Sequence, residues 1–231
     1  MIHQLIFAHP KPGMSEADFQ RYWKEVHAVQ YASKIPQIKK YMIDCRIPFG
    51  PEPADPLWSG VAEIFLENEQ EQLASLQSKE FLEGARLDEP NWAAFWRTIV
   101  LDTTDHVLLP GPAFTRPSTM VKIIGLAKRK EGMPLEEFRG YSLETHAAKD
   151  LKLPGLRRYY QCHVGDGAYA LGEAFLDSAS ILWFDNVETI ATMMKSPEYT
   201  EAAADMANFS NPKYAHRMVT DETWIIGPEP R

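Results

Sequence analysis

The sequence predicts an α+β protein in which one βαββαβ module occurs twice in tandem, and three observations predict it. First, Lys11-Pro-Gly-Met-Ser-Glu-Ala-Asp-Phe-Gln-Arg-Tyr-Trp-Lys-Glu-Val-His-Ala returns as Lys130-Glu-Gly-Met-Pro-Leu-Glu-Glu-Phe-Arg-Gly-Tyr-Ser-Leu-Glu-Thr-His-Ala. Gly13, Met14, Phe19, Tyr22 and His27 thus recur as Gly132, Met133, Phe138, Tyr141 and His146 at an offset of 119. Second, one residue is then lost, and Ile35-Pro-Gln-Ile-Lys-Lys-Tyr41 recurs as Leu153-Pro-Gly-Leu-Arg-Arg-Tyr159 at an offset of 118. Third, short apolar runs and amphipathic stretches follow each other in the same order in both copies. A period this long marks a duplicated domain, not a solenoid.

The elements follow in order. Ile2 to Ala8 and Met120 to Ala127 are apolar runs of strand length. Ser15 sits at a helix N-cap with Asp18 three residues on, whereas the second copy places Pro134 in the first turn. The helix that follows presents Phe19, Tyr22, Trp23 and Val26 at i, i+3, i+4 and i+7, which predicts an aromatic inner face. Strands are predicted over Lys39 to Arg46 and Trp58 to Leu66, separated by the turn-rich stretch 48–56, with counterparts Leu156 to Val164 and Ser178 to Phe184. Helices start near Asn68 and Ser78 and again near Asn186 and Ser196, and a last strand leads into Leu109-Pro-Gly-Pro112 and Ile226-Gly-Pro228. The stretch from Ala113 to Thr119 reads as a linker. A four-stranded sheet with helices on one face needs a cover on the other, so the two copies are expected to serve as an internal pseudo-dimer with sheets face to face.

Composition narrows the functional classes. The 231 residues carry 24 Lys and Arg against 32 Asp and Glu, a net charge of -8, and neither half is basic, which argues against a nucleic-acid partner. Cys45 and Cys162 are the two cysteines, without CxxC spacing, so a reducing, cytoplasmic setting is expected. No apolar run reaches the roughly 18 residues of a spanning helix, and no membrane association is expected. No HExxH, GxSxG or Walker pattern occurs, and the His spacings form no recognisable metal set. Gly165-Asp-Gly-Ala-Tyr-Ala170 matches GxGxxA but lacks a following amphipathic helix, so neither metal nor cofactor is expected.

The pattern Lys128-Arg-Lys-x-Gly-Met, Glu137-Phe, Tyr141, His146-Ala and Leu153-Pro-Gly-Leu-Arg-Arg-Tyr-Tyr-Gln-Cys-His163 resembles the EthD family of dimeric α+β barrel proteins, and the first half resembles a more diverged copy. The resemblance implies two ferredoxin-like repeats, at 1–112 and 120–231, forming an intrachain barrel with a pocket between helices and sheet. Its superfamily includes cofactor-free polyketide cyclases, decarboxylases, muconolactone isomerases and small monooxygenases, so it specifies the fold more closely than a reaction. This chain departs from the pattern: the Trp after the motif Tyr is kept as Trp23 and replaced by Ser142. The Pro after His-Ala is Val29 and Ala148, and the later His is kept as His163 and replaced by Cys45. Both halves can therefore fold alike while only one keeps full activity.

Among candidate chemical groups, His27 and His146 stand out, since imidazole exchanges a proton near neutral pH and each lies beside an aromatic helix face. A histidine at a helix end has a structural use as well, through the dipole or the last-turn carbonyls. His163 shares a strand face with Tyr159 and Gln161 by period two, and Tyr41 and Tyr159 are candidate oxyanion donors. Candidate substrate-binding residues are Trp23, Tyr22, Tyr141, Trp183 and Phe65, with Lys122 and His3 at matched positions of the first strands, where a charge commonly marks a strand edge. With no cofactor expected, the substrate must carry its own electron sink, as β-keto acids, polyketones and activated phenols do. The expected function is a cofactor-independent lyase of decarboxylase, cyclase or dehydratase type acting on an aromatic or polyketide-like small molecule. The alternatives are a cofactor-free monooxygenase and a non-catalytic binding or accessory protein, and a homodimer of the tandem chain is compatible with each.

Overall fold

A computed structural model describes residues 1–53, 55–170 and 172–231; Ala54, inside the predicted turn stretch 48–56, lies outside them. The first repeat runs β1 (Ile2–Ala8), α1 (Glu16–Tyr22), β2 (Ile38–Ile47), β3 (Gly60–Leu66), α2 (Glu69–Gln77), the short α3 (Arg86–Asp88) and β4 (Ile99–Leu109). The second runs β5 (Val121–Ala127), α4 (Leu135–Gly140), α5 (Ala147–Asp150), β6 (Arg158–Val164), β7 (Ser178–Phe184), α6 (Val187–Met193), α7 (Pro197–Phe209) and β8 (His216–Ile226). This is α+β with tandem ferredoxin-like repeats. Among the described residues no helix is long and apolar enough to cross a membrane.

Two compact units divide the chain, and each takes in a terminal segment of the other repeat. One comprises Met1–Asp102, Phe114–Ser118 and Thr220–Arg231; the other comprises Thr103–Ala113 and Thr119–Val219. In the first, β3 is the central strand, pairing antiparallel with β1 from Ile2↔Leu66 to Ala8↔Gly60 and with β2 from Ile38↔Leu66 to Cys45↔Gly60. In the second, β7 lies between β5 and β6, and β6 pairs on with β4 from Thr103↔Val164 to Leu109↔Tyr159. In the stretch after β4, read from the sequence as a linker, Ala113, Thr115, Arg116, Pro117 and Thr119 are exposed, while Phe114 meets the Trp224 ring edge-on at 5.4 Å and Ser118 donates to Glu222. Half-burying the Phe114 ring removes apolar surface from water, which anchors that point of an otherwise exposed stretch.

Local chemistry places the helices. Asn68, Asn186 and Ser196 stand in extended backbone and accept from Glu71 N–H, Thr189 N–H and Tyr199 N–H, and Ser15 accepts from Asp18 N–H. Gly13 and Gly132 precede the helices with φ of 84° and 80°, a left-handed turn where a side chain is strained, which accounts for their recurrence. Replacing Asn186 by Ala should cost about 0.5–2 kcal/mol in urea denaturation, with an unchanged m-value, because the first-turn N–H loses its acceptor.

The helix after β1 departs from the predicted period at an informative place. After Tyr22 the backbone widens to i→i+5 turns over Trp23–Tyr31, and the second repeat does the same over Tyr141–His146. A wider turn rotates later side chains relative to a 3.6-residue helix. Val26, expected on the inner face, is therefore only half-buried, whereas His27 and Ala28 turn inward beside Phe19 and Trp23.

Candidate active site

In the first unit the core-facing wide turn delivers His27 to Asp88, the last residue of α3. His27 Nδ1 lies 2.9 Å from Asp88 Oδ2, Tyr22 donates its hydroxyl to Asp88 Oδ1 at 2.8 Å, and Asn91 Nδ2 donates to the same oxygen at 3.0 Å. The Trp92 ring covers the imidazole at 4.6 Å. Burial pushes the Asp88 carboxyl up, but donors from Asn91, His27 and Tyr22 outweigh it and hold the carboxyl below its usual range. Burial lowers the His27 pKa despite the opposing pull of Asp88. Near neutral pH, Asp88 is therefore a carboxylate and His27 a neutral ring. A carboxylate only accepts, so the proton sits on Nδ1 and Nε2 keeps its lone pair. His27 also lines a cavity of about 280 Å³ walled by Trp23, Tyr41, Ile64, Trp92 and Phe95.

The second unit repeats this constellation. His146 Nδ1 lies 2.9 Å from Asp205 Oδ2, and Tyr141 and Asn208 donate to Asp205 Oδ1 at 2.9 and 3.0 Å. Phe209 replaces Trp92 against the ring, at 4.7 Å. Burial again opposes ionisation of Asp205, but hydrogen bonds from His146, Asn208 and Tyr141 hold its pKa low. His146 lines a cavity of about 450 Å³ with Asp150, Ser180, Met206 and Arg217.

Beyond this shared centre the two sites diverge. His146 Nε2 lies 3.4 Å from Asp150 Oδ2, Tyr159 donates to that same oxygen at 2.8 Å, and Gln161 Nε2 donates to the Tyr159 hydroxyl at 2.7 Å. Ser142 donates to Gln161 Oε1 at 2.7 Å, and the His163 Nε2 approaches that oxygen at 3.3 Å. Burial pushes the Asp150 carboxyl up, with His146 and Tyr159 pulling against it. In the first repeat Tyr31, Ile43, Trp23 and Cys45 stand where the second has Asp150, Gln161, Ser142 and His163. The Tyr41 hydroxyl meets the Trp23 indole, and burial drives its pKa far up. The second site thus has a polar chain behind its imidazole that Tyr31, Ile43, Trp23 and Cys45 do not reproduce at the matching positions of the first.

The structure brings together some of the residues singled out from sequence and separates others. His27, Trp23 and Tyr41 line one cavity, and Tyr22 and Tyr141 hold the carboxylates rather than the cavity walls. Tyr159 is fully buried; its hydroxyl is engaged by Asp150 and Gln161, and it does not line the cavity beside His146. His163 opens onto a different cavity of about 430 Å³ with His106, Thr104 and Arg139. Burial, the His106 ring and the Arg139 charge lower its pKa to about 4.

His3 and Phe65 lie on the sheet face opposite the His27 cavity, because Gln4, Ile6, Ala62 and Ile64 are the strand residues that line it. Neither His3 nor Lys122 is a solvated edge charge. His3 is buried 3.0 Å from Glu63 and stacks on Phe65 at 4.1 Å, and Lys122 is buried over the Trp183 ring at 5.0 Å. The Gly165–Ala170 stretch forms a short 3₁₀ turn over Asp166–Tyr169 in place of a nucleotide-binding helix.

Asp88, Asp205, Asn91 and Asn208 are not among the residues singled out from sequence. The signal exists: Asp88-x-x-Asn91-Trp92 answers Asp205-x-x-Asn208-Phe209 at an offset of 117.

The EthD domain profile matches residues 11–95 and 130–213, each match including one histidine–aspartate centre. The chain belongs to the EthD domain family. A search of curated proteins finds no significant match. Among solved structures, this EthD chain is similar to a provisionally named monooxygenase from Lactobacillus acidophilus NCFM, at 13% identity and a TM-score of 0.55, covering 100% of this chain and 97% of that one. It is similar to a provisionally named monooxygenase from Fusobacterium nucleatum subsp. nucleatum ATCC 25586, at 6% identity and a TM-score of 0.65, covering 100% and 95%. An anthrone oxidase-like protein aligns at 9% identity and a TM-score of 0.66, over 97% and 92%. At these identities the likeness is one of fold.

Proposed function

We propose that this EthD protein is a proton-transfer enzyme, a cofactor-independent lyase that acts on an aromatic or polyketide-like small molecule through an enolate or phenolate. The observation that carries the reading is the duplicated Tyr–Asp–His–Asn centre, in which a carboxylate orients an imidazole that lines a cavity. In the first site, Nε2 of the neutral His27 takes the proton of an activated C–H or O–H group. Asp88, held ionised by Tyr22 and Asn91, stabilises the imidazolium that results. The electron pair left on the substrate delocalises into its own carbonyl or ring. In decarboxylation the proton taken is that of the carboxyl O–H, carbon dioxide leaves and the imidazolium protonates the carbon left behind, whereas in dehydration the proton taken is a C–H and the imidazolium gives it to the departing hydroxide, which leaves as water. In the second site His146 takes the same role, with Asp150 as a second carboxyl close to Nε2.

The test uses β-keto acids, polyketones and anthrones as probes, measuring deuterium uptake from D₂O at the activated methylene together with product formation. Turnover should fall at least ~100-fold when His27→Gln and His146→Gln are combined. Unchanged exchange and product in the double variant would overturn the reading. Saturable binding of a probe without exchange would instead assign a carrier or accessory role.

A second reading, a cofactor-free monooxygenase, shares the deprotonation step and is favoured by the fold likeness to proteins named monooxygenase and anthrone oxidase-like. Under that reading product forms only with dioxygen present, whereas exchange persists under nitrogen.

A further inference from the structure

The two cavities differ in charge as well as in volume. The first contains Glu89, with the Gln4–Asp102 pair on its wall, where Gln4 Nε2 donates to Asp102 Oδ1 at 2.8 Å. Neither Lys nor Arg is among its described lining residues. The second has Met206 at the position of Glu89 and carries His216 and Arg217 in its wall.

We propose that the first cavity is a site for an uncharged ring-bearing ligand with a hydroxyl or enol group, and that Glu89 is the residue that turns carboxylates away from it. This rests on the reading of the cavities as ligand sites and goes beyond it in naming the ligand charge that the first accepts.

Several observations point the same way. The Glu89 side chain is only 14% exposed, and the cation paired with it among the described residues, Arg86 at 3.6 Å, is itself half exposed. A ligand carboxylate entering here would lose its hydration and meet the Glu89 and Asp102 carboxyls with no lining cation in return. A hydroxyl or enol fits better. His27 Nε2 can accept its proton, and Trp92, whose indole N–H has no acceptor among the described residues, lines the same cavity as a donor for ligand oxygen. At the mouth Leu76, Phe95 and Val100 leave apolar surface exposed, so a ring substituent reaching outward would be apolar.

The exclusion is graded by pH. Burial pushes the Glu89 carboxyl up to about 7, Arg86 opposes this, and Asp88 adds to it. The other titratable groups lining the cavity are His27, whose pKa is lowered by burial, Tyr41, whose pKa burial raises, and Asp102. Glu89 is therefore mostly protonated at about pH 6 and mostly charged at about pH 8.

The experiment is calorimetric titration of the full chain with 2-naphthol and 2-naphthoate at about pH 6 and about pH 8. Occupancy of the first cavity is read from the Trp92 indole N–H resonance, assigned by its loss in Trp92→Phe. We expect 2-naphthol to shift that resonance at both pH values with little change in affinity. 2-Naphthoate should bind the first cavity on the order of tenfold more weakly at the higher pH, about 1.4 kcal/mol. Glu89→Gln should remove that pH dependence, and Glu89→Met, which installs the residue of the second repeat, should do the same if the amide disturbs folding.

Equal binding of both probes to the first cavity at about pH 8, or a pH dependence that survives both substitutions, overturns the charge assignment and leaves the proton-transfer reading standing. Binding of neither probe to the first cavity overturns this inference too, and deuterium exchange then judges the proton-transfer reading separately.

Discussion

In a chain already carrying His27→Gln, the further change Asp205→Asn should lower deuterium exchange at the second site on the order of 10³-fold, with thermal stability within a few degrees of the parent. The parent background matters because the first centre would otherwise mask the loss. Asn keeps the size of Asp and can still accept from Tyr141 and Asn208, so the pocket is preserved. What it loses is the charge facing Nδ1. Imidazolium then forms without the counter-charge at Nδ1, with Asp150 on the Nε2 side alone, and an amide nitrogen turned toward the ring would favour the tautomer with its proton on Nε2, the wrong nitrogen for a base. Catalytic carboxylate–imidazole pairs act through both orientation and charge, which is why the expected loss exceeds the ~100-fold typical of a single general base. The measurement is exchange rate against pH. A merely structural Asp205 would move stability, but an orienting one moves the rate and displaces its pH profile. A rate within about threefold of the parent would remove the carboxylate from the mechanism.

How far the residues alone led toward these centres depends on the range of the signal. The strands and helix starts were legible because caps and alternation are local: Asn68, Asn186 and Ser196 cap where their residue types suggest. His27 and His146 were legible because the repeat marks them. Their partners Asp88 and Asp205 were not, since they lie some 60 residues away in a stretch where the copies drift to a third offset and few neighbours match. The wide turns were hidden for a different reason. A 3.6-residue period places Val26 inward, and no residue type announces an i→i+5 turn, although that turn is what aims His27 at Asp88.

Face assignment had the same character. Period two correctly grouped Tyr159, Gln161 and His163, and it grouped His3 with the other residues of its own face. It carries no information on which face the helices cover, and that alone decides that His3, Phe65, Lys122 and Trp183 lie away from the imidazoles. The EthD resemblance specified the architecture, but the divergence between the sites arises from single exchanges such as Trp23 for Ser142 and Glu89 for Met206. Their meaning depends on which residues line the same hollow.

His163 should make the protein acid-sensitive over a defined window. Its folded pKa is depressed to about 4 by burial first, then by the neighbouring His106 ring and Arg139, while an unfolded histidine titrates near ~6.5. As pH falls below the unfolded value, the unfolded chain takes up a proton that the folded chain refuses, so stability is lost from about pH 6.5 downward. The loss ends near pH 4, where the folded ring also protonates. At ~1.4 kcal/mol per pH unit the full loss is on the order of 3 kcal/mol. His27, also depressed by burial, adds a loss of the same sign. His163→Cys, which installs the residue of the first repeat, removes the titrating ring; burial already pushes Cys45 at that position up to about 12, so a thiol there stays neutral throughout the window. The substitution forgoes the long 3.3 Å contact with Gln161 Oε1, a cost independent of pH, so the variant should be somewhat less stable at neutral pH and overtake the parent near pH 4.5. Urea unfolding at about pH 7, 5.5 and 4.5 gives both curves, and parallel curves would show that His163 does not carry the acid sensitivity.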